Sequence, residues 1–151
     1  MELTVCICTH NRPGYLRSCL DGLARQTAGQ HAFAVVVVDS GSTGDVPAAL
    51  AQLVATTANA SLIRVDRPGV SLARNVGAEA CHTPYIAYID DDAIPADDWV
   101  ACILAVLGET TPTPAVLGGR VLPLWETPLP AWWPPRLRGV LSIIEAEGRG
   151  E

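Results

Sequence analysis

The sequence predicts an α/β fold, a Rossmann-like three-layer sandwich on a mostly parallel sheet. Short runs that are apolar throughout alternate with segments of helical periodicity along most of the chain. Unbroken apolar runs belong to strands covered on both faces, and strands separated by helices form parallel sheets. Polar clusters follow the runs at Thr9–Arg12, Asp39–Asp45 and Asp90–Asp92, where ligands gather on open α/β sheets.

Taken in order, Leu3–Cys8 reads as a buried strand. Pro13–Gln26 follows as a helix, with Leu16, Cys19, Leu20 and Leu23 at helical spacing. Asn11 or Arg12 caps it and Pro13 suits its first turn. Ala34–Val38 carries four consecutive valines and reads as the second strand, Pro47–Val54 as a short helix, and Leu62–Val65 as the third strand. Val70–Cys81 is the third helix, Tyr85–Ile89 the fourth strand, Pro95–Leu107 the fourth helix and Val116–Leu122 a fifth strand. From Pro123 the chain turns rich in proline and tryptophan, and Arg136–Glu151 has room for one short helix.

Composition narrows the function. The chain has 151 residues, 49% of them hydrophobic, and a formal net charge of −6, so it can bury a core without disulfides. All ten basic residues are arginines. An acidic chain of this kind lacks the basic field that nucleic-acid binding needs. Five cysteines at irregular spacing include no CxxC pair, which argues against zinc. Reduced thiols fit a cytoplasmic setting, at most peripheral at the inner face of a membrane. No basic-then-apolar leader is evident, and no apolar run reaches the ~18 residues of a membrane span.

The fourth strand runs directly into Asp90-Asp91-Asp92. Adjacent carboxylates repel one another, and a divalent cation relieves that repulsion. In an extended segment Asp90 and Asp92 point to one side, ~6.6 Å apart at ~3.3 Å per residue. One can bind a metal directly and the other through water or a sugar hydroxyl, and oxygen ligands favour Mn²⁺ or Mg²⁺. The competing reading is a solvated acidic turn that caps the helix at Pro95.

Four segments carry a family resemblance: Thr9-His10-Asn11-Arg12, Val38-Asp39-Ser40-Gly41-Ser42-Thr43, Gly69-Val70-Ser71-Leu72-Ala73-Arg74-Asn75-Val76-Gly77 and Tyr88-Ile89-Asp90-Asp91-Asp92. In this order and spacing they resemble the successive motifs of family 2 glycosyltransferases with the GT-A fold, over about Leu3–Leu122. The resemblance implies inverting, metal-dependent transfer of a sugar from a nucleotide-diphosphate donor, usually a UDP-sugar, to an acceptor hydroxyl. The acceptor class, whether glycan, lipid or small molecule, stays open. The resemblance implies that Asp39 accepts a hydrogen bond from the base, that Thr9–Arg12 lies along the nucleoside, and that Asp92 ligates the metal. The donor-contacting set becomes Thr9, Asn11, Arg12, Asp39, Ser42, Arg67, Arg74, Asp90 and Asp91, with Asp90 and Asp92 for the metal.

The family often has aspartate directly after the Ser-Thr pair, whereas Gly44 precedes Asp45 here. Its catalytic base is a carboxylate in the second half of the domain. Glu145, Glu147 and Glu151 sit in no recognisable motif, so the base is expected beyond Glu151 and the chain is read as truncated. On this reading residues 1–122 bind the nucleotide-sugar and residues 123–151 begin the acceptor side, incompletely.

Individual residues have second readings. Asp39 can bond its own backbone in a turn. On a helical wheel of about 100° per residue Arg74 falls beside Val70, Gly77 and Cys81, on the apolar face. It therefore needs a core aspartate or a diphosphate as partner. Arg67 is read foremost as a surface loop residue. Thr9 and Asn11 can serve as helix caps, and His10 as a packed loop histidine. Trp125, Trp132 and Trp133 suit either an acceptor lip or a cover over the core edge.

Two other functions remain in view, a non-catalytic nucleotide-sugar-binding module and a nucleotidyltransferase of similar fold. The latter needs a Gly-rich basic loop after the first strand, which Thr9-His10-Asn11-Arg12-Pro13 is not. A Walker A loop is excluded for want of lysine. Gly69-Val70-Ser71-Leu72-Ala73 lacks the final glycine and preceding strand of a hydrolase nucleophile elbow.

Overall fold

The computed structural model describes residues 1–128, 130, 132–134 and 143–144. They fall into two compact units, Met1–Thr110 and Thr111–Glu151.

The first unit alternates strand and helix: β1 (Leu3–Thr9), α1 (Pro13–Ala24), β2 (Phe33–Ser40), α2 (Val46–Ala55), β3 (Ala60–Val65), α3 (Val70–Glu79), β4 (Tyr85–Asp90) and α4 (Trp99–Glu109). All strand pairings are parallel, in the order β3-β2-β1-β4. Strand residues alternate between two faces, and both faces are apolar. Leu3, Val5, Ile7, Phe33, Val35 and Val37 pack with Leu16, Cys19, Leu20 and Leu23 of α1, Leu50, Leu53 and Val54 of α2 and Val100 of α4. On the opposite face Cys6, Val36 and Val38 meet Ala73 of α3, flanked by Cys8, Ile63, Val65 and Val76. The result is the expected three-layer sandwich.

Two expected elements change. The fourth helix begins at Trp99, four residues after Pro95. The Pro95 ring is packed against Gly22 of α1, where an added Cβ would lie 2.9 Å from its Cδ. Buried Gln26 then ties down the next residues. Its Nε2 donates to the Ala96 carbonyl at 2.7 Å, and its Oε1 accepts from Val100 N–H at 2.8 Å. Gln26 thereby satisfies one of the open donors at the start of α4. The fifth strand expected over Val116–Leu122 reduces to one antiparallel bridge, Val121 to Ile144, because no longer partner segment pairs with it among the described residues.

In the second unit Trp125 and Trp132 are exposed, and the Trp132 and Trp133 rings lie 5.8 Å apart at 51°. The short helix allowed for Arg136–Glu151, with Glu145, Glu147 and Glu151, falls outside the described residues apart from Ile143 and Ile144, of which Ile144 takes part in the bridge. No helix among the described residues is long and apolar enough to cross a membrane.

Candidate functional site

The strand order places the site. From β1 the chain adds β2 and then β3 on one side, and afterwards crosses to the other side of β1 to form β4. The connections diverge at the carboxyl ends of β1 and β4, where a crevice opens on sheets of this kind. A cavity of about 400 Å³ lies there. Strand β1 contributes Cys8 and Thr9, and the next loop His10 and Arg12. Ser40 comes from β2, Pro68, Gly69 and Val70 from the entry to α3, and Asp90, Asp91 and Asp92 from β4 and its turn.

The three aspartates have separate environments. Strand β4 ends at Asp90, and Ala93 N–H donates to the Asp90 carbonyl at 3.1 Å, closing a turn over Asp91 and Asp92. The extended geometry expected for Asp90 and Asp92 therefore does not hold, and the side chains splay. Asp90 is 71% exposed and lies 3.2 Å from Arg74 Nη2. Asp92 is 51% exposed and lies 3.3 Å from Arg12 Nη1. Asp91 is 7% exposed; it accepts from the Thr9 hydroxyl at 2.7 Å and lies 3.5 Å from the same Arg12 nitrogen. A buried carboxylate needs such partners. Because α4 starts at Trp99 with Asp98 as its N-cap, the cluster does not cap that helix.

The loops around the cavity are laced together. Asn11 adopts φ 56°, a left-handed conformation that asparagine tolerates. This lets its N–H donate to Ser42 Oγ at 2.9 Å while its Oδ1 accepts from Thr43 N–H at 3.0 Å. His10 Nδ1 lies 2.7 Å from the Ser40 carbonyl. A carbonyl only accepts, so Nδ1 carries the proton, and Nε2 is left to accept from Asn11 Nδ2 at 3.2 Å. Ser40 Oγ accepts from Gly69 N–H at 2.9 Å. Gly41, at φ 72°, brings this loop so close to the entry of α3 that a Cβ would lie 2.9 Å from Pro68 N.

Asp39 is buried at the end of β2. Its Oδ1 accepts from Ser42 N–H at 3.0 Å, the turn bond foreseen as its second reading, and its Oδ2 lies 3.6 Å from Arg64 Nη1. Arg64 also donates to the Ser42 carbonyl at 3.0 Å. The sequence reading missed Arg64. The signal was an arginine between Ile63 and Val65 in the third strand, and its importance appears only in the register, where it sits directly beside Asp39. Arg74 shares the sheet-facing side of α3 but is not buried: its side chain is 47% exposed, and its Cζ lies 5.9 Å from the Tyr88 ring centroid. Its partner, Asp90, is an exposed aspartate rather than a core one.

Of the expected donor residues, Thr9, Arg12, Asp90 and Asp91 line the cavity, as does the expected metal ligand Asp92. Asp39, in β2, and Ser42, in the loop after it, are not among the lining residues, Asn11 spends its polar groups on lacing, and Arg74 contacts the lining residue Asp90. Arg67 is exposed in the loop before α3 and lies outside the lining.

Asp90 and Asp92 are the cluster carboxylates exposed enough to meet an ion. Among the described residues no three His, Cys, Asp or Glu side chains converge into a metal cage. Residues 70–72 begin α3 behind Gly69, which offers no side-chain cap, so backbone N–H groups at that end are available to an anion. The sequence reading also overlooked Cys8 as a lining residue. Its thiol is lowered by a hydrogen bond from Cys6 and by Arg74, against the opposing effect of burial, and the same pairing pushes Cys6 up.

Comparison with known proteins gives the family and the fold. The pattern described as Glycosyl transferase family 2 matches residues 4–135. Validoxylamine A glucosyltransferase of Streptomyces hygroscopicus subsp. limoneus is 33% identical over 118 residues, 77% of this chain and 26% of the relative. A PGL/p-HBAD biosynthesis glycosyltransferase of Mycobacterium tuberculosis is 33% identical over 122 residues, 79% of this chain and 46% of the relative. The chain thus spans between a quarter and a half of the length of these curated relatives. Among solved structures, S. aureus TarS 1–349 in complex with UDP-GlcNAc shares the fold, with a TM-score of 0.66 at 23% identity, covering 72% of this chain and 32% of that one. Mannosyltransferase PcManGT from Pyrobaculum calidifontis, in complex with GDP-Man and Mn²⁺, gives a TM-score of 0.58 at 28% identity, covering 66% and 32%. With a switch-point cavity edged by an acidic turn and a family pattern that matches most of its length, the chain belongs to glycosyl transferase family 2.

Proposed function

We propose that this chain forms the donor-binding part of an inverting, metal-dependent glycosyltransferase, taking a nucleotide-diphosphate sugar, foremost a UDP-sugar. The observation that carries this reading is the cavity where β1 and β4 end, edged by Asp90 and Asp92 on one side and the open end of α3 on the other. A diphosphate fits between them: its charge suits the helix N-terminus and the guanidinium groups of Arg12 and Arg74. Asp39 and the laced Asn11–Ser42 loops suit the nucleoside end, with Asp39 reaching a base N–H by exchanging part of its present bonding. The nucleotide-sugars named with TarS and PcManGT support this donor class.

The residues fit a divalent ion. Two exposed carboxylates with hard oxygens meet the modest protein share that Mg²⁺ or Mn²⁺ takes when phosphates and water complete its shell, and the PcManGT complex contains Mn²⁺. When bound, the ion supplies Lewis-acid neutralisation of the departing diphosphate. The protein's own share is to orient the diphosphate, through Arg12, Arg74 and the α3 amides, and to hold the turn rigid through Thr9 and Asp91. Acceptor deprotonation requires a free base. Asp90, Asp91 and Asp92 each face an arginine, so we assign that step to a carboxylate outside the described cavity.

Calorimetry of UDP binding with and without Mn²⁺, repeated on Asp92→Ala, tests the proposal. Mn²⁺ should tighten UDP binding, and the substitution should abolish most of that gain. Tight UDP binding that ignores both the ion and the substitution contradicts the metal role.

A further inference from the structure

Arg12 contacts the acidic turn in a way that donor binding alone does not explain. A single nitrogen, Nη1, lies between two carboxylates, 3.5 Å from Asp91 Oδ1 and 3.3 Å from Asp92 Oδ2. The side chain is 53% exposed, and its Cζ lies 5.8 Å from the centroid of the Tyr15 ring on α1. The two carboxylates differ in what they can release. Asp91 is buried and holds the Thr9 hydroxyl, whereas Asp92 is exposed and has Arg12 as its cationic neighbour among the described residues. A monovalent cation of the protein thus sits against the oxygen that a divalent cation would need.

We propose that Arg12 is an internal counter-ion that holds Asp91 and Asp92 together while the site is empty, then yields Asp92 to the metal and turns to the donor diphosphate. The inference rests on the metal-dependent reading above. Both halves follow from the geometry. A guanidinium and a divalent ion at one carboxylate compete by direct Coulomb repulsion. The present contacts are long and share one nitrogen, while a diphosphate offers parallel oxygens that fit the guanidinium fork. A half-exposed side chain can make that exchange without opening the core. Arg12 therefore opposes the ion when the ion arrives alone and assists once diphosphate is present.

The test compares the wild-type chain with Arg12→Gln, Arg12→Lys and Arg25→Gln, the last breaking the remote exposed Arg25–Asp97 pair. Mn²⁺ alone is titrated by electron paramagnetic resonance, and UDP is titrated by calorimetry at saturating Mn²⁺. Arg12→Gln should bind Mn²⁺ about two- to five-fold more tightly, the worth of an exposed ion pair. It should bind UDP about ten-fold more weakly, as for a lost charge-assisted hydrogen bond. Arg12→Lys should fall between Arg12→Gln and wild type in both titrations, which keeps the test open if the glutamine variant folds poorly, and Arg25→Gln should match wild type. A merely structural arginine would weaken both titrations together, and that result, or unchanged Mn²⁺ binding, overturns the counter-ion role while leaving the metal reading intact. If no variant binds Mn²⁺ with or without UDP, the metal reading fails and the inference falls with it.

Discussion

Replacing Gly77 with alanine tests how closely α3 must approach the sheet to present its N-terminus to the cavity. Gly77 faces β1, and an added Cβ would collide with Cys6 Sγ and come within 3.4 Å of a Val38 methyl. Both neighbours are fully buried on central strands, so neither can move aside cheaply. Alanine gains ~1 kcal/mol of helix propensity over glycine. Overpacking costs ~1–3 kcal/mol or occasionally more, and contact with two rigid neighbours places this site at the upper end. The net expectation is a loss of ~2 kcal/mol, a fall in Tm of ~4–8 °C for a chain of this size. Thermal melts followed by circular dichroism measure it. Adding Cys6→Ala removes the colliding sulfur, so the double variant should recover most of the loss, with a coupling of ~1–2 kcal/mol. An unchanged or raised Tm for Gly77→Ala, or strictly additive effects in the double variant, refutes the packing argument.

Two further outcomes are expected. Asp39→Asn keeps an oxygen for the Ser42 N–H but removes the charge facing Arg64; UDP affinity should fall about ten-fold, the order of one charge-assisted hydrogen bond, and equal calorimetric affinity would remove Asp39 from base recognition. At pH 8 iodoacetamide should label Cys8 and Cys81 before Cys19. The hydrogen bond from Cys6 lowers Cys8, bonds with Thr4 and Thr83 lower Cys81 despite burial, and burial pushes Cys19 up to about 12. A lower pKa leaves more thiolate at a given pH. Peptide mapping should also show that UDP with Mn²⁺ protects Cys8 and leaves Cys81 open; equal protection of both would count against the cavity as the donor site.

The sheet was legible because its signal is local. Unbroken apolar runs such as Val35–Val38 can be covered only on both faces, and the first four expected strands reappear with helices packed on both sides. The misreadings came from contacts distant in sequence. Pro95 looked like a helix start, yet its ring is used against Gly22, and Gln26 sets the true beginning of α4. Val116–Leu122 has the composition of a strand, but a strand also needs a partner. Arg74 shares the Gly77 side of its helix. Because α3 runs back along the sheet, Gly77 rests on Cys6 while Arg74 lies one turn nearer the cavity, where it reaches the exposed Asp90. The acidic turn was visible as a cluster, but the division of labour within it was not. That Asp91 is buried on Thr9 while Asp90 and Asp92 face arginines depends on β1 and β4 being neighbours, which no short sequence window contains.

Crystals grown with UDP and Mn²⁺, measured at the manganese absorption edge, address the donor site itself. The account predicts an anomalous peak touching a carboxylate oxygen of Asp90 or Asp92 and the UDP diphosphate, with the diphosphate beside the first residues of α3. Nucleotide bound with no manganese at this turn, or manganese and nucleotide together at another place on the chain, would contradict it.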